Sequence, residues 1–139
     1  MAFEKNTMKT TDIKEIEALA SGFVDGEPSY ISLDRRDYEA ARSRLGDPVL
    51  AVETGYGSSG PLAESVRQSV ADEDLTPIKE ILLFVTTPKG EGAVSMEDIQ
   101  SIRTIFSEKL PEVRIRLSIT VSEDNKTGVS LIFFGRPQP

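Results

Sequence analysis

Two stretches near the end of the chain constrain its fold more than any other feature. From 113 to 121, Val113, Ile115, Leu117, Ile119 and Val121 are apolar, while Arg114, Arg116, Ser118 and Thr120 between them are polar. Successive side chains of an extended chain point to opposite sides, so this alternation predicts a strand with one buried face. From 129 to 134 the run Val-Ser-Leu-Ile-Phe-Phe is nearly all apolar. Such a strand needs cover on both faces and belongs inside a sheet. Ser122-Glu-Asp-Asn-Lys-Thr-Gly128 between them is turn chemistry, and the pair is predicted to form an antiparallel hairpin.

The rest of the chain must supply partners for this sheet. Ile81 to Val85 is a further apolar strand, followed by a helix from Ser95 to Leu110 that opens with a capping box, Ser95 with Asp98. Its stripe of Ile99, Ile102, Phe106 and Leu110 is core spacing. Upstream, Val49 to Val52 is an expected strand, and Leu62, Val66 and Val70 lie one helical turn apart. Earlier still, Asp12 with Glu15 opens a short helix carrying Ile13, Ile16, Ala20 and Phe23 and ending near Gly22. A second helix runs from Asp34 to Leu45, with Tyr38, Ala41 and Leu45 on one face, Gly46 as its left-handed cap and Pro48 as its stop. Asp34 suits its N-cap, and Asp37 the third helical position, where negative charge meets the positive end of the dipole.

The expected architecture is therefore an α+β fold, a two-layer sandwich. A β-α-β-α-β-β sheet carries two helices on one face and is preceded by two short helices. Residues 1–11 are polar and expected to be a flexible N-terminus. Residues 12–47 hold the short helices, and 48–139 the sandwich domain.

Composition narrows the chemistry. None of the 139 residues is cysteine or histidine, which removes thiol nucleophiles, imidazole bases and the common zinc sites. No cofactor and no metal is expected. A formal net charge of -7 disfavours nucleic acid and anionic membrane surfaces as partners. No apolar run approaches the roughly 20 residues of a membrane span, and the opening residues lack an apolar signal core, so a cytoplasmic location is expected. Glycines at 55, 57 and 60 between a strand and a helix imitate a dinucleotide fingerprint. The acidic residue that would hold a ribose is missing, because the next strand ends Val85-Thr-Thr-Pro88, and the segment reads as a strand-to-helix turn. Arg114 and Arg116 read as a solvated strand face rather than an anion site.

The ordered elements, and their wording, resemble the C-terminal domain of FtsZ, the tubulin-like division GTPase. Tyr30-Ile-Ser-Leu-Asp-Arg-Arg-Asp37 resembles the family's synergy loop, Asn-Leu-Asp-Phe-Ala-Asp. Gly46 to Gly60 resembles its next strand and glycine turn, Ile81 to Gly90 the strand after that, and Val129 to Gly135 its terminal strand. The likeness runs from about Asp12 to Pro137. The GTP-binding half, with its Gly-Gly-Gly-Thr-Gly-Thr-Gly signature, has no counterpart, so no GTP binding or hydrolysis by this chain alone is expected. The resemblance implies that Asp34 and Asp37 act in trans. In the family the matching aspartates enter a neighbouring subunit's nucleotide pocket and polarise the attacking water, a chemistry that suits paired carboxylates beside a phosphate. Ser32 stands where the family has asparagine, and Arg35-Arg36 replaces the residues between the aspartates. These three are expected partner contacts.

Three functions are compatible with that resemblance. The first is a stand-alone, non-enzymatic module that meets FtsZ-like GTPase subunits and modulates their assembly or GTP hydrolysis through Asp34 and Asp37. The second is a small-molecule-binding domain that has left the division role behind. The third is a self-associating unit paired through an edge strand.

Overall fold

The computed structural model describes residues 6–24, 33, 35–56, 62–88, 94–122 and 127–135. Nine elements follow in order: β1 (Asn6–Thr10), α1 (Ile13–Val24), α2 (Arg35–Leu45), β2 (Leu50–Tyr56), α3 (Leu62–Val70), β3 (Ile78–Pro88), α4 (Met96–Lys109), β4 (Arg114–Ser122) and β5 (Thr127–Gly135). The strands form one mixed sheet in the order β1-β2-β5-β3-β4. From β2 to the last strand this is the β-α-β-α-β-β order expected of an α+β sandwich.

Strand placement follows hydrophobicity. β5 and β3 carry the most apolar runs and occupy the interior, with β5 antiparallel to both β2 and β3. Each is buried along nearly its whole length. The hairpin predicted between 113–121 and 129–134 does not form. β4 pairs instead with β3, in parallel, from Glu80↔Arg114 to Pro88↔Ser122. A parallel pair needs a helical crossover, and α4 provides it. The physical reason is demand for cover. β5 satisfies two apolar faces only between two strands, whereas β4, with Arg114 and Arg116 on one face, belongs at an edge.

The sheet separates two cores. On one face Val66 and Val70 of α3 and Ile99, Ile102, Ile105 and Phe106 of α4 pack on Leu50, Val52, Ile81, Leu83, Val85, Leu131 and Phe133. Both helices lie on this face, as the two-layer arrangement predicted. Phe106 meets Phe133 edge-on, ring centroids 5.8 Å apart. The two short helices cover the opposite face, where Ile16, Ala20, Tyr38 and Ala41 pack on Ala51, Leu82, Phe84, Ile132 and Phe134.

Helix punctuation matches the sequence. Asp12 accepts from the Lys14 backbone at 2.8 Å, and Ser95 and Asp98 form a reciprocal capping box. Gly46 closes α2 at φ 87°, its amide donating to the Arg42 carbonyl at 2.8 Å. The α1 helix runs past Gly22 to Val24. One further difference concerns the polar start of the chain, predicted to be frayed. Residues 6–10 instead pair antiparallel with β2 as β1, from Asn6↔Gly55 to Thr10↔Ala51. Lys9 pins the strand by ion pairs to Asp72 and Glu73 at 2.9 and 3.0 Å. Backbone pairing needs no apolar side chain, so composition does not announce it. Of the glycine-rich turn, Gly55 and Tyr56 end β2, and 57–60 lie outside the described residues.

Candidate partner-binding site

The segment singled out by the sequence enters the sheet face at the start of α2. Ser32 and Asp34 lie outside the described residues. Leu33, between them, is 8% exposed and packs in the core beneath α2. At the far side of the first turn Tyr38 is buried, its ring edge-on to Phe134 with centroids 5.8 Å apart. Leu33 and Tyr38 thus anchor the stretch at both ends and leave Arg35, Arg36 and Asp37 toward the outside.

Each of these three side chains has a distinct setting. Arg35 donates to the Ser21 hydroxyl of α1 at 2.9 Å and lies 5.8 Å above the centre of the Tyr38 ring. Arg36 is exposed. Asp37 lies in the first turn of α2, where helix N-termini favour negative charge. Its Oδ1 accepts from Nη1 of Arg116 on β4 at 3.0 Å, and its side chain is one-third exposed.

That ion pair belongs to a chain of charges that the sequence did not reveal. Glu80 of β3 is only 1% exposed and accepts from Arg44 near the end of α2 at 2.9 and 3.2 Å. Arg116 Nε approaches the same carboxylate at 3.8 Å. Arg44, Glu80, Arg116 and Asp37 therefore clamp both ends of α2 onto β3 and β4. Arg116, read from the sequence as part of a solvated face, positions Asp37. No local signal could have found this, because the partners lie 36 and 79 positions apart. A second cluster secures the outer side of α2, where Arg42 reaches Asp47, Glu39 and Glu17 at 2.7, 3.3 and 3.4 Å. Between the clusters the Tyr38 hydroxyl is buried without a hydrogen-bond partner among the described residues, and burial pushes its pKa up to about 12.

On the opposite face, α3 and α4 flank a shallow groove of about 200 Å³, lined by Arg67, Ser101, Thr104, Ile105, Glu108 and Lys109. Its charges are mixed and it lies away from α2. Among the described residues no group of three carboxylates is placed to hold a metal ion, and no helix is long and apolar enough to cross a membrane.

No family model matches the sequence. No curated protein matches it either. Solved structures do. A point mutant of FtsZ from M. jannaschii superposes with a TM-score of 0.60 at 21% identity, covering 88% of this chain and 37% of that one. The fold is that of an FtsZ-like C-terminal domain. An empty FtsZ dimer from M. jannaschii gives 0.57 at 21% identity over 88% of this chain and 38% of that one. A helical model of the TubZ-Bt four-stranded filament gives 0.57 at 13% identity over 81% and 30%. The chain thus spans well under half the length of these FtsZ and TubZ structures.

Proposed function

We propose that this FtsZ-like domain is an interaction module, not a GTPase by itself, that docks through the start of α2 on an FtsZ-like or tubulin-like subunit. Asp34 and Asp37 face the partner's nucleotide end and modulate its assembly or its GTP hydrolysis, with Ser32, Arg35 and Arg36 as flanking contacts. The observation that carries this reading is the FtsZ-like fold together with the position of Asp37, one-third exposed in the first turn of α2 and held there by Arg116. Two of the similar structures are assemblies by their own description, a dimer and a filament, which supports a polymer-forming partner, or a second copy of this chain. On this reading the partner and this chain are cytoplasmic and serve cell division. The carboxylate pair would orient a water at the partner's phosphate, a task of position rather than of proton affinity.

The test is sedimentation of GTP-dependent filaments of a full-length FtsZ with this chain added well below stoichiometry. Less pelleted polymer or altered turnover, abolished in the Asp34→Ala/Asp37→Ala chain, is expected. Equal polymer and equal turnover with and without the chain overturn the reading.

A further inference from the structure

β1 is joined to the sheet in a different way from the strands of the core. Its five residues, Asn-Thr-Met-Lys-Thr, include one apolar side chain, whereas β5 is buried along nearly all of its nine. Lys9 is exposed and Thr10 half-buried, and neither core cluster includes a residue of β1, among the described residues. Backbone pairing with β2 is therefore its main hold, from Asn6↔Gly55 to Thr10↔Ala51. Among the described residues, β2 is also the one element that β1 borders closely. One side chain adds a fastening. Lys9 Nζ reaches Asp72 at 2.9 Å and Glu73 at 3.0 Å, two acids in the turn between α3 and β3. The Asp72 side chain is 75% exposed, so water and salt weaken this latch.

The other end of the strand has a hinge. The Thr10 hydroxyl accepts from the Asp12 amide at 3.1 Å, and Asp12 in turn caps α1 through the Lys14 amide. α1 is rooted in the core by Ile16 and Ala20. Residues 6–10 can therefore leave the sheet while α1 keeps its cap and its packing.

We propose that β1 is a detachable strap, latched by Lys9 on Asp72 and Glu73, that opens as a unit while the rest of the chain stays folded and thereby uncovers the edge of β2. Opening gives up a short row of backbone hydrogen bonds and one screened ion-pair cluster, with little apolar surface exposed. β5 has no such freedom, because it pairs with β2 on one side and β3 on the other. With the strap open, β2 presents a line of unpaired backbone donors and acceptors, so one lysine governs whether the sheet has a receptive edge on that side. The proposal depends neither on the start of α2 nor on any GTPase partner.

Native-state hydrogen exchange of the full chain, read residue by residue by NMR in a urea series below the unfolding midpoint, tests it. The amides of 6–10 that pair with β2 should exchange about a hundredfold faster than those of β5, with little dependence on urea, because a local opening exposes little surface. In an antiparallel strand successive amides point to opposite sides. The amides of β2 should therefore split, those facing β1 exchanging with the strap and those facing β5 with the core. Sodium chloride at about 1 M and Lys9→Gln should each speed the strap's exchange about threefold, relative to an unstructured peptide in the same buffer. The two together should do no more than either one. Lys109→Gln, at an exposed lysine of α4, should leave the strap unchanged. Exchange of β1 and β5 amides with the same urea slope overturns the proposal, as does an unsplit β2. So does indifference of the strap to both salt and Lys9→Gln, or exchange of 6–10 at the rate of an unstructured peptide, since nothing would then be latched.

Discussion

Asp37 and Arg116 lie 79 positions apart in the chain and 3.0 Å apart in the fold, and their ion pair ties the first turn of α2 to the edge strand β4. Both side chains are about one-third exposed, so water screens the pair but does not dissolve it. A double-mutant cycle of Asp37→Ala and Arg116→Ala, read by urea unfolding, should give a coupling of about 0.5 to 1 kcal/mol. A coupling indistinguishable from zero would show that α2 keeps its position without this contact.

Burial, rather than the number of partners, should rank the arginines of α2. Arg42 approaches three acids, all at the surface, while Arg44 holds one acid that is 1% exposed. Arg44→Ala leaves Glu80 in the sheet with, among the described residues, only Arg116 at 3.8 Å and should cost about 2 to 3 kcal/mol. Arg42→Ala should cost about 1 kcal/mol or less. Equal losses in denaturant titrations of the two variants would contradict this ranking.

Tyr38 should report on alkaline pH. Folding favours its neutral form, because the ring is buried and Glu17 adds a negative charge nearby. Its pKa rises from 10.0 to about 12 on folding. The native state therefore holds the proton in a window where the unfolded chain releases it. The contribution is complete below pH 10 and is lost as pH climbs toward 12. Thermal melts should show the midpoint falling across that window, less steeply in Tyr38→Phe. At neutral pH the same variant should be as stable as the parent or about 1 kcal/mol more so, since the hydroxyl it removes has no partner among the described residues. A clear loss of stability at neutral pH would mean that the hydroxyl is satisfied in solution.

Two glycines should respond differently to alanine. Gly46 has open space around a built Cβ, and only its φ of 87° opposes substitution, so Gly46→Ala should cost about 1 to 2 kcal/mol. At Gly135 a Cβ would run into the backbone of Pro77 and Ile78, beside the register shift between Ile78 and Glu80. Backbone cannot step aside as a flexible side chain can. Gly135→Ala should cost about 2 to 3 kcal/mol, with the larger drop in melting temperature.

Much of the fold was legible because it rests on local rules. The end of α2 and the start of α4 were marked by capping chemistry that acts within a few residues, and the interior place of β5 by an apolar run that no edge could cover. The pairing of β4 was misread because a turn-like linker suits a hairpin equally well, and only the apolar demand of β5 for two neighbours decided otherwise. Of the candidate site, Asp37 was placed in the first helical turn by its position three residues after the expected cap Asp34, which itself lies outside the described residues.

What the sequence determined by itself is the four helices, the four strands after the first, the face each helix buries and the segment that resembles a synergy loop, since periodicity and caps are short-range physics. Only the tertiary structure decided that residues 6–10 pair with β2, that two short helices cover the second face, and that Arg44, Glu80, Arg116 and Asp37 form one chain of charges. Ion pairing acts over a few ångströms of space and is indifferent to distance along the chain. A lone Glu80 before an apolar strand therefore looks like any other surface acid until the fold brings two arginines to it.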